Sequence, residues 1–315
     1  MFGFILKRIL MSVPTLVIVT VIIFALVRAL PGDAALMMLG GDVDDEAALA
    51  MMREKMGLDK SLAVQFTAWL REVLSGNLGT SIMNGQDVGG LLLQRFGVTA
   101  SVVLLAMLTS LLVAVPFGLL AAHRHNRSTD YSIVFGCIVL LSMPSFWVGL
   151  MLLVLFGATL GWLPTIGFVS ITEDLGRGMV YLIMPVTALA LTEIAVLTRM
   201  MRAGSLEIMQ KDYITHARAK GLPERRVLWR HVFPNAFAPT LTMVGIMLAG
   251  LLSGAAVTET VFTLPGIGKL LVDSIYARDY PVLQGALLFI AAIYVLTNLA
   301  IDIAYSFFDP RVRLS

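Results

Sequence analysis

Apolar residues in this chain fall into six long runs separated by polar islands, at about 9–29, 98–122, 131–160, 179–198, 238–258 and 282–308. A helix needs about 20 apolar residues to cross a bilayer, and each run has that length with almost no charge. The pattern predicts an all-α polytopic membrane protein with six transmembrane helices. Pro14, Pro116 and Pro185 fall inside runs, as membrane helices tolerate. Pro144 is expected to kink the third run, and Trp162 with Pro164 marks its exit. Arg28, at the end of the first run, can extend its charged head to the headgroups.

Composition agrees with the pattern. Of 315 residues, 58% are hydrophobic and 14% charged, against about 25% charged in a soluble domain. The mean hydropathy is +0.86, so too few polar residues exist to cover a water-facing surface. A net charge of +2 gives no bulk-charge reason to expect a nucleic-acid partner. The single cysteine, Cys137, lies in an apolar run and reads as a small buried hydrophobe. Lys7 and Arg8 precede an apolar run longer than the roughly 7–15 residues of a signal-peptide core. The first run is therefore expected to be retained as a span.

Six spans place both termini on one side. Of the 23 Lys and Arg residues, 14 lie on that side in short flanks and loops, and nine on the other, five of those within one long segment. An excess of Lys and Arg in short loops marks the cytoplasmic side, so both termini are expected in the cytoplasm. The first extracytoplasmic segment, 31–96, is long and somewhat acidic. In it Leu49, Met52 and Met56 share a helix face, with Asp44 or Asp45 as cap and Gly57 as stop. Leu62, Phe66, Trp69, Leu70, Val73 and Leu74 share another, ending at Gly76. These faces need cover, from the bundle beneath, from a docking external protein, or from both.

Candidate chemistry is sparse. The 259–281 island contains Thr263-Leu264-Pro265-Gly266-Ile267-Gly268-Lys269, but a phosphate loop needs a Gly where Thr263 stands and a Ser or Thr where Leu270 stands. The island is read as a turn between the fifth and sixth spans. There is no His-Glu-x-x-His or Gly-x-Ser-x-Gly, and no His, Cys or carboxylate set with metal-site spacing. The four histidines, His123, His125, His216 and His231, lie in islands on the terminal side, and His123 and His125 flank Arg124 as expected interfacial anchors. No catalytic residue or metal ligand is assigned. Two carboxylates inside spans, Glu193 and Asp302, are costly in lipid and so are candidate functional groups. A proton-coupled secondary transporter would use such groups. Interhelical pairing or water access is the simpler reading, since Asp302 lies about 10 Å along a helix from Asp309 and Arg199 and Arg202 follow Glu193 on its own helix.

The 199–234 island carries a marked positive excess. A first helix can run to Lys220, with Gly221 as its breaker. Pro223 suits the first turn of a second helix, Glu224 favours its N-terminal end, and Arg230 with His231 its C-terminal end. Pro234 is expected to stop that helix and Pro239 to help start the fifth span. Val227, Leu228, Trp229 and Phe233 give it apolar contact area. A basic amphipathic helix resting on anionic lipid is the plain alternative.

This segment resembles the loop of binding-protein-dependent ABC importer permeases, with the pattern Glu-Ala-Ala-x3-Gly-x9-Ile-x-Leu-Pro. With Gly221 on the motif Gly, Pro234 falls on the motif Pro, Phe233 on Leu and His231 on Ile. Thr215-His216-Ala217 stands at Glu-Ala-Ala, so only Ala217 matches there. Ala217-Arg218-Ala219-Lys220-Gly221 is similar to the dipeptide/oligopeptide branch, which typically reads Thr-Ala-Arg-Ala-Lys-Gly, with His216 in place of its Thr. Leu30-Pro31-Gly32-Asp33, Gly57-Leu58-Asp59, Gly79-Thr80-Ser81, Gly161-Trp162-Leu163-Pro164, Asp212-Tyr213, Leu264-Pro265-Gly266-Ile267-Gly268, Arg278-Asp279-Tyr280-Pro281 and Asp309-Pro310-Arg311 resemble that branch as well, so the likeness covers nearly all of 1–315.

The resemblance implies a permease subunit of the type I ABC importer kind in the cytoplasmic (inner) membrane of a prokaryote. It implies partners: a related second permease, two ABC ATPase subunits and an extracytoplasmic solute-binding protein, with ATP and Mg held by the ATPases and no cofactor in this chain. It also implies that 199–234 is a coupling loop seated in an ATPase cleft, carried here by Thr215, His216, Ala217, Arg218, Ala219, Lys220, Gly221, Val227, Leu228, Trp229, Phe233 and Pro234. The branch transports peptides, and also glutathione, nickel chelates and opine- or sugar-like solutes, which the binding protein largely selects. A proton-coupled transporter using Glu193 and Asp302 and a purely structural membrane scaffold are the competing classes. Transport by the purified chain in a proton gradient would mark the first, and uptake that survives deletion of the chain the second.

Overall fold

The computed structural model describes residues 2–29, 35, 36, 39, 46–55 and 57–308, with side chains for all of these except 2–7, 55, 253, 254, 302 and 304–308. Among the described residues the only extended pairing is an isolated bridge between Thr80 and Asp87. Helix α1 is Phe2–Ala29, and two short helices, α2 (Glu46–Lys55) and α3 (Leu62–Leu74), occupy the long polar segment. Then come α4 (Val88–His123), α5 (Ser128–Ser142), α6 (Ser145–Leu152, prolonged by a π-helical stretch Leu153–Thr159) and α7 (Leu175–Met209). The chain continues through α8 (Asp212–Ala219), α9 (Glu224–Val227), a π-helical turn Leu228–Val232, α10 (Phe233–Val261), α11 (Ile267–Ala277) and α12 (Tyr280–Phe308).

Among the described residues five helices are long and apolar enough to cross a membrane, six when α5 and α6 are counted as one span. That pair is bent by 92°, far beyond the kink expected at Pro144. Met143 has φ −102° and ψ 122° and Pro144 has φ −61° and ψ 139°, because a residue before proline is driven out of the helical region. Two consecutive extended residues therefore break the span. Gly57 (φ +65°) follows α2 and Gly76 (φ +86°) follows α3, both as expected. The proposed caps Asp44 and Asp45 and the residues Leu30–Asp33 and Asp309–Arg311 lie outside the described residues.

The core runs along α4 and α7, the most extensively packed pair. Val102, Ala106 and Ala114 of α4 meet Leu182, Ala188, Ala190 and Leu197 of α7. Without a hydrophobic force between helices in lipid, small residues that allow close packing hold such a pair. A Cβ on Gly118 would sit 2.6 Å from the Met201 Cβ, so only glycine permits this approach. The Ser110 hydroxyl reaches across to the Ala190 carbonyl at 3.2 Å. Outside, Leu10, Val17, Leu104, Leu108 and Phe135 are exposed, an apolar surface that a bilayer would cover. In the long polar segment, Phe66 and Trp69 of α3 pack on Phe24 of α1, with ring centroids 5.2 and 5.7 Å apart.

Three elements differ from the sequence reading. The fourth apolar run ends near residue 198, but its helix continues to Met209, because Met201 and Ser205 stay buried on the same face. The 259–281 island, read as a turn, contains the 11-residue helix α11. Finally, Pro234 does not stop a helix: α9, the π turn and α10 form one uninterrupted helical path in which Pro234 and Pro239 both lie inside α10. The wider π turn makes room, since the Phe233 N–H donates five residues back to the Leu228 carbonyl.

Candidate functional site

The 199–234 segment forms one end of the bundle. Its first third is the end of α7, and α8 then turns back through a Schellman motif: the Gly221 N–H donates to the Arg218 carbonyl (2.9 Å) and the Leu222 N–H to the Ala217 carbonyl (3.4 Å). This geometry needs a left-handed residue, and Gly221 supplies it at φ +77°. Pro223 stands one position before α9 as its N-cap rather than inside its first turn. Arg218 and Glu224 grip across the turn, Nε to Oε2 at 3.1 Å and Nη2 to Oε1 at 2.7 Å. The bond from Arg218 lowers the Glu224 pKa, and the carboxylate raises that of Arg218. His123, the last residue of α4, places Nδ1 3.7 Å from Glu224 Oε1.

The segment has two distinct sides. Ile214, Ala217, Val227 and Val232 are buried against Val115 and Leu119 of α4 and Met201 of α7. Thr215, His216, Arg218, Ala219, Lys220, Gly221, Trp229 and Pro234 are exposed. Leu228 and Phe233 are half-buried, and Trp229, Phe233 and Phe237 stack in sequence at 5.6 and 5.2 Å. The apolar residues expected to act together therefore divide. Val227 holds the segment to its own bundle, while Trp229 faces away from it.

A second polar node lies beside this segment. Asp130, 1% exposed, accepts from Arg202 Nε at 2.6 Å and Nη2 at 2.7 Å, and from the Asn126 N–H at 3.1 Å. His125 Nδ1 approaches the same carboxylate at 3.2 Å. The node ties the first turn of α5, where a negative charge suits the helix terminus, to α7. His123 and His125, expected as interfacial anchors, thus both meet carboxylates. Asp130 was missed because its partner lies 72 residues away; its position among His125, Arg127 and an apolar run was the available signal. Glu193 lies apart on α7, with Oε2 buried and without a hydrogen-bond partner among the described residues. Asp302 lies in α12, and its side chain is outside those described.

At the opposite end, α11 is clamped to the bundle by buried acids. Glu259, fully buried, accepts from Thr99 Oγ1 at 2.5 Å and from the Lys269 N–H at 2.9 Å, while Thr99 Oγ1 accepts from the Ile267 N–H at 2.9 Å. A Cβ on Gly268 would fall 2.4 Å from the Ala256 Cα. Asp279 accepts from the Ser81 hydroxyl at 2.5 Å and the Ile82 N–H at 3.2 Å. The Leu264-Pro265-Gly266-Ile267-Gly268 stretch therefore serves close packing around Glu259.

Residues 114–314 match the family described as binding-protein-dependent transport system inner membrane component, and residues 1–103 match the N-terminal membrane component of such systems. The chain belongs to this family. A probable peptide ABC transporter permease protein, y4tP, of Sinorhizobium fredii is 39% identical over 310 residues, covering 98% of this chain and 99% of the relative. The oligopeptide transport system permease protein AppB of Bacillus subtilis is 37% identical over 316 residues, covering 99% and 100%. The di/tripeptide transport system permease protein DppB of Pseudomonas aeruginosa is 36% identical over 333 residues, covering 99% of each chain.

This binding-protein-dependent permease is thus a multi-pass inner-membrane protein, and membership brings an ABC ATPase and a solute-binding protein as partners. Its polar chemistry can hold helices together and present donors and charges. The Asp130–Arg202 pair joins α5 to α7, and the Glu224 node joins α8, α9 and the end of α4, both at the 199–234 end.

Proposed function

We propose that this permease subunit carries peptides, of the dipeptide to oligopeptide class, inward across the membrane, driven by ATP hydrolysis on separate subunits. The 199–234 end faces the cytoplasm, in keeping with its excess of Lys and Arg, and the 31–96 segment faces outward. The subunit pairs with a second, related permease, two ATPase subunits that bind ATP and Mg, and a binding protein that delivers the peptide. The peptide assignment rests on the names of the similar permeases.

The coupling role rests on one observation, the two-sidedness of the α8–α9 segment. Ile214, Ala217 and Val227 are buried in the subunit's own bundle, while Thr215, His216, Lys220 and Trp229 project from the other side. A rigid turn gripping the second and fourth spans can hand on the motion of a partner that holds its exposed side. Gly221 tests this, because a Cβ there meets nothing within 4 Å in this chain. Gly221→Val costs the fold only the backbone penalty of a left-handed residue, about 1–2 kcal/mol, so the protein should still reach the membrane. Dipeptide uptake by the full complex should fall to background while ATP hydrolysis loses its dependence on the binding protein. Normal uptake by this variant would remove the coupling assignment.

A further inference from the structure

At the end opposite the coupling segment, a cavity of about 450 Å³ lies among α4, the stretch leading into α7 and the turn after α10. Gln94, Arg95 and Ser101 line it from α4, and Ser170, Thr172 and Glu173 from the stretch before α7. Its size falls within the roughly 300–1,000 Å³ range of small-molecule sites. In a chain with 14% charged residues, a cation and a carboxylate sharing one cavity is an unusual concentration of charge.

Arg95 distinguishes this cavity. It is half-buried, its Nε is fully enclosed without a hydrogen-bond partner, and no hydrogen bond or ion pair among the described residues reaches its guanidinium. An arginine is permanently charged and offers five donors in a planar fork that matches a carboxylate. Leaving an enclosed donor unpaired is unfavourable. The buried acid within its electrostatic reach, Glu259, already takes the Thr99 hydroxyl and the Lys269 N–H. Arg202 and Arg218, by contrast, each spend their fork on a carboxylate of this chain. Ser170 and Thr172 bond to each other and retain capacity for a ligand, since each hydroxyl has two lone pairs and one proton. Glu173 is exposed and has no ion-pair partner among the described residues. Its charge works against small inorganic anions and in favour of a solute that also carries a cation.

We infer that this cavity is a receiving subsite for the imported peptide, with the peptide carboxylate seated on Arg95 and Glu173 facing its ammonium end. The inference rests on the peptide-import reading and adds where this subunit first holds the solute. The cavity lies at the end assigned to the outside, so it would fill as the binding protein releases its cargo.

The test uses the whole complex with its binding protein, with trialanine and trialanine amide as probes. Absence of trialanine uptake by the unmodified complex would count against peptide import itself. Given uptake, Arg95→Met should raise the KM for trialanine by roughly tenfold or more, Arg95→Lys should restore part of it, and stimulation of ATP hydrolysis by the binding protein should be retained. On the purified unmodified complex without binding protein, millimolar trialanine should raise the thermal midpoint and trialanine amide should not. Unchanged KM in Arg95→Met overturns the inference. So does lost stimulation by the binding protein, which would make Arg95 a docking contact for that protein, and so does equal stabilisation by the two probes. If Arg95→Met fails to assemble, the probe comparison on the unmodified complex decides.

Discussion

Glu259 and Asp279 close one end of the bundle by accepting hydrogen bonds from hydroxyls and backbone N–H groups, whereas Asp130 and Glu224 close the other by gripping arginines. The first arrangement ties main-chain N–H groups to buried side-chain oxygens: α11 and the turn before it cannot move without losing bonds made by their own backbone. The second joins separate helices through side chains, which can part and re-form while every helix keeps its internal bonds. Exposure differs as well. Glu259 is fully enclosed, while Arg218 and Glu224 are each more than a third exposed. An ion pair that open to water contributes under about 1 kcal/mol. The Glu259 end is thus held by enclosed bonds throughout, whereas the other end combines an enclosed node at Asp130, 1% exposed, with the weaker, water-exposed Arg218–Glu224 pair.

Substitutions at the two ends should separate these behaviours. The largest effect is expected at Gly268, whose added side chain would meet the backbone of Ala256. Gly268→Val should destabilise by about 3 kcal/mol, read as a lower thermal midpoint of the purified complex and less protein in the membrane. An unchanged midpoint would mean that this end yields more easily than its packing indicates. Asp130→Asn comes next. It leaves Arg202, 24% exposed, without its carboxylate, at a cost of about 2–3 kcal/mol after allowance for that exposure. Arg202→Gln in the same background should recover part of the midpoint, and a failure to recover would show that the ion pair is not the link between α5 and α7.

Arg218→Gln should be the mildest for stability, under about 1 kcal/mol, yet lower uptake more than it lowers the thermal midpoint. Because Arg218 holds Glu224 below the ordinary glutamate range, the pair's contribution is complete above the unfolded value and is lost only as pH falls through the lowered one. Uptake between pH 6 and pH 8 should therefore not titrate through this pair. Equal losses of uptake and stability would remove the contrast between the two ends.

The spans were legible because lipid imposes length and apolarity on each one, and the glycine stops at Gly57, Gly76 and Gly221 were legible because positive φ restricts residue choice. Helix ends were less so. Past residue 198 the apolar run gives way to polar residues, but Met201 and Ser205 continue the buried stripe, and only the neighbouring helix gives that spacing meaning. Pro234 misled for a physical reason, since a lost donor stops an α-helix but can be absorbed beside a π turn. The contacts of Asp130, Glu259 and Asp279 could not be paired from the sequence because their partners lie 72, 160 and 198 residues away. In the proposed coupling segment the sequence marked Gly221 and the turn, but could not tell that Val227 points inward and Trp229 outward, two positions apart on a helix.

Trp229 and Glu259 belong to one unbroken helical path of α9, the π turn and α10. At about 1.5 Å per residue, the 30 positions that separate them reach about 45 Å, longer than the roughly 30 Å hydrocarbon layer. The proposed coupling element and the element that anchors the far rim are thus a single rod. Rotation imposed at one tip is felt at the other without a chain of intermediate contacts, except for whatever the π turn absorbs as its give. Mechanical work done at the 199–234 end can reach the opposite end of the bundle through one backbone.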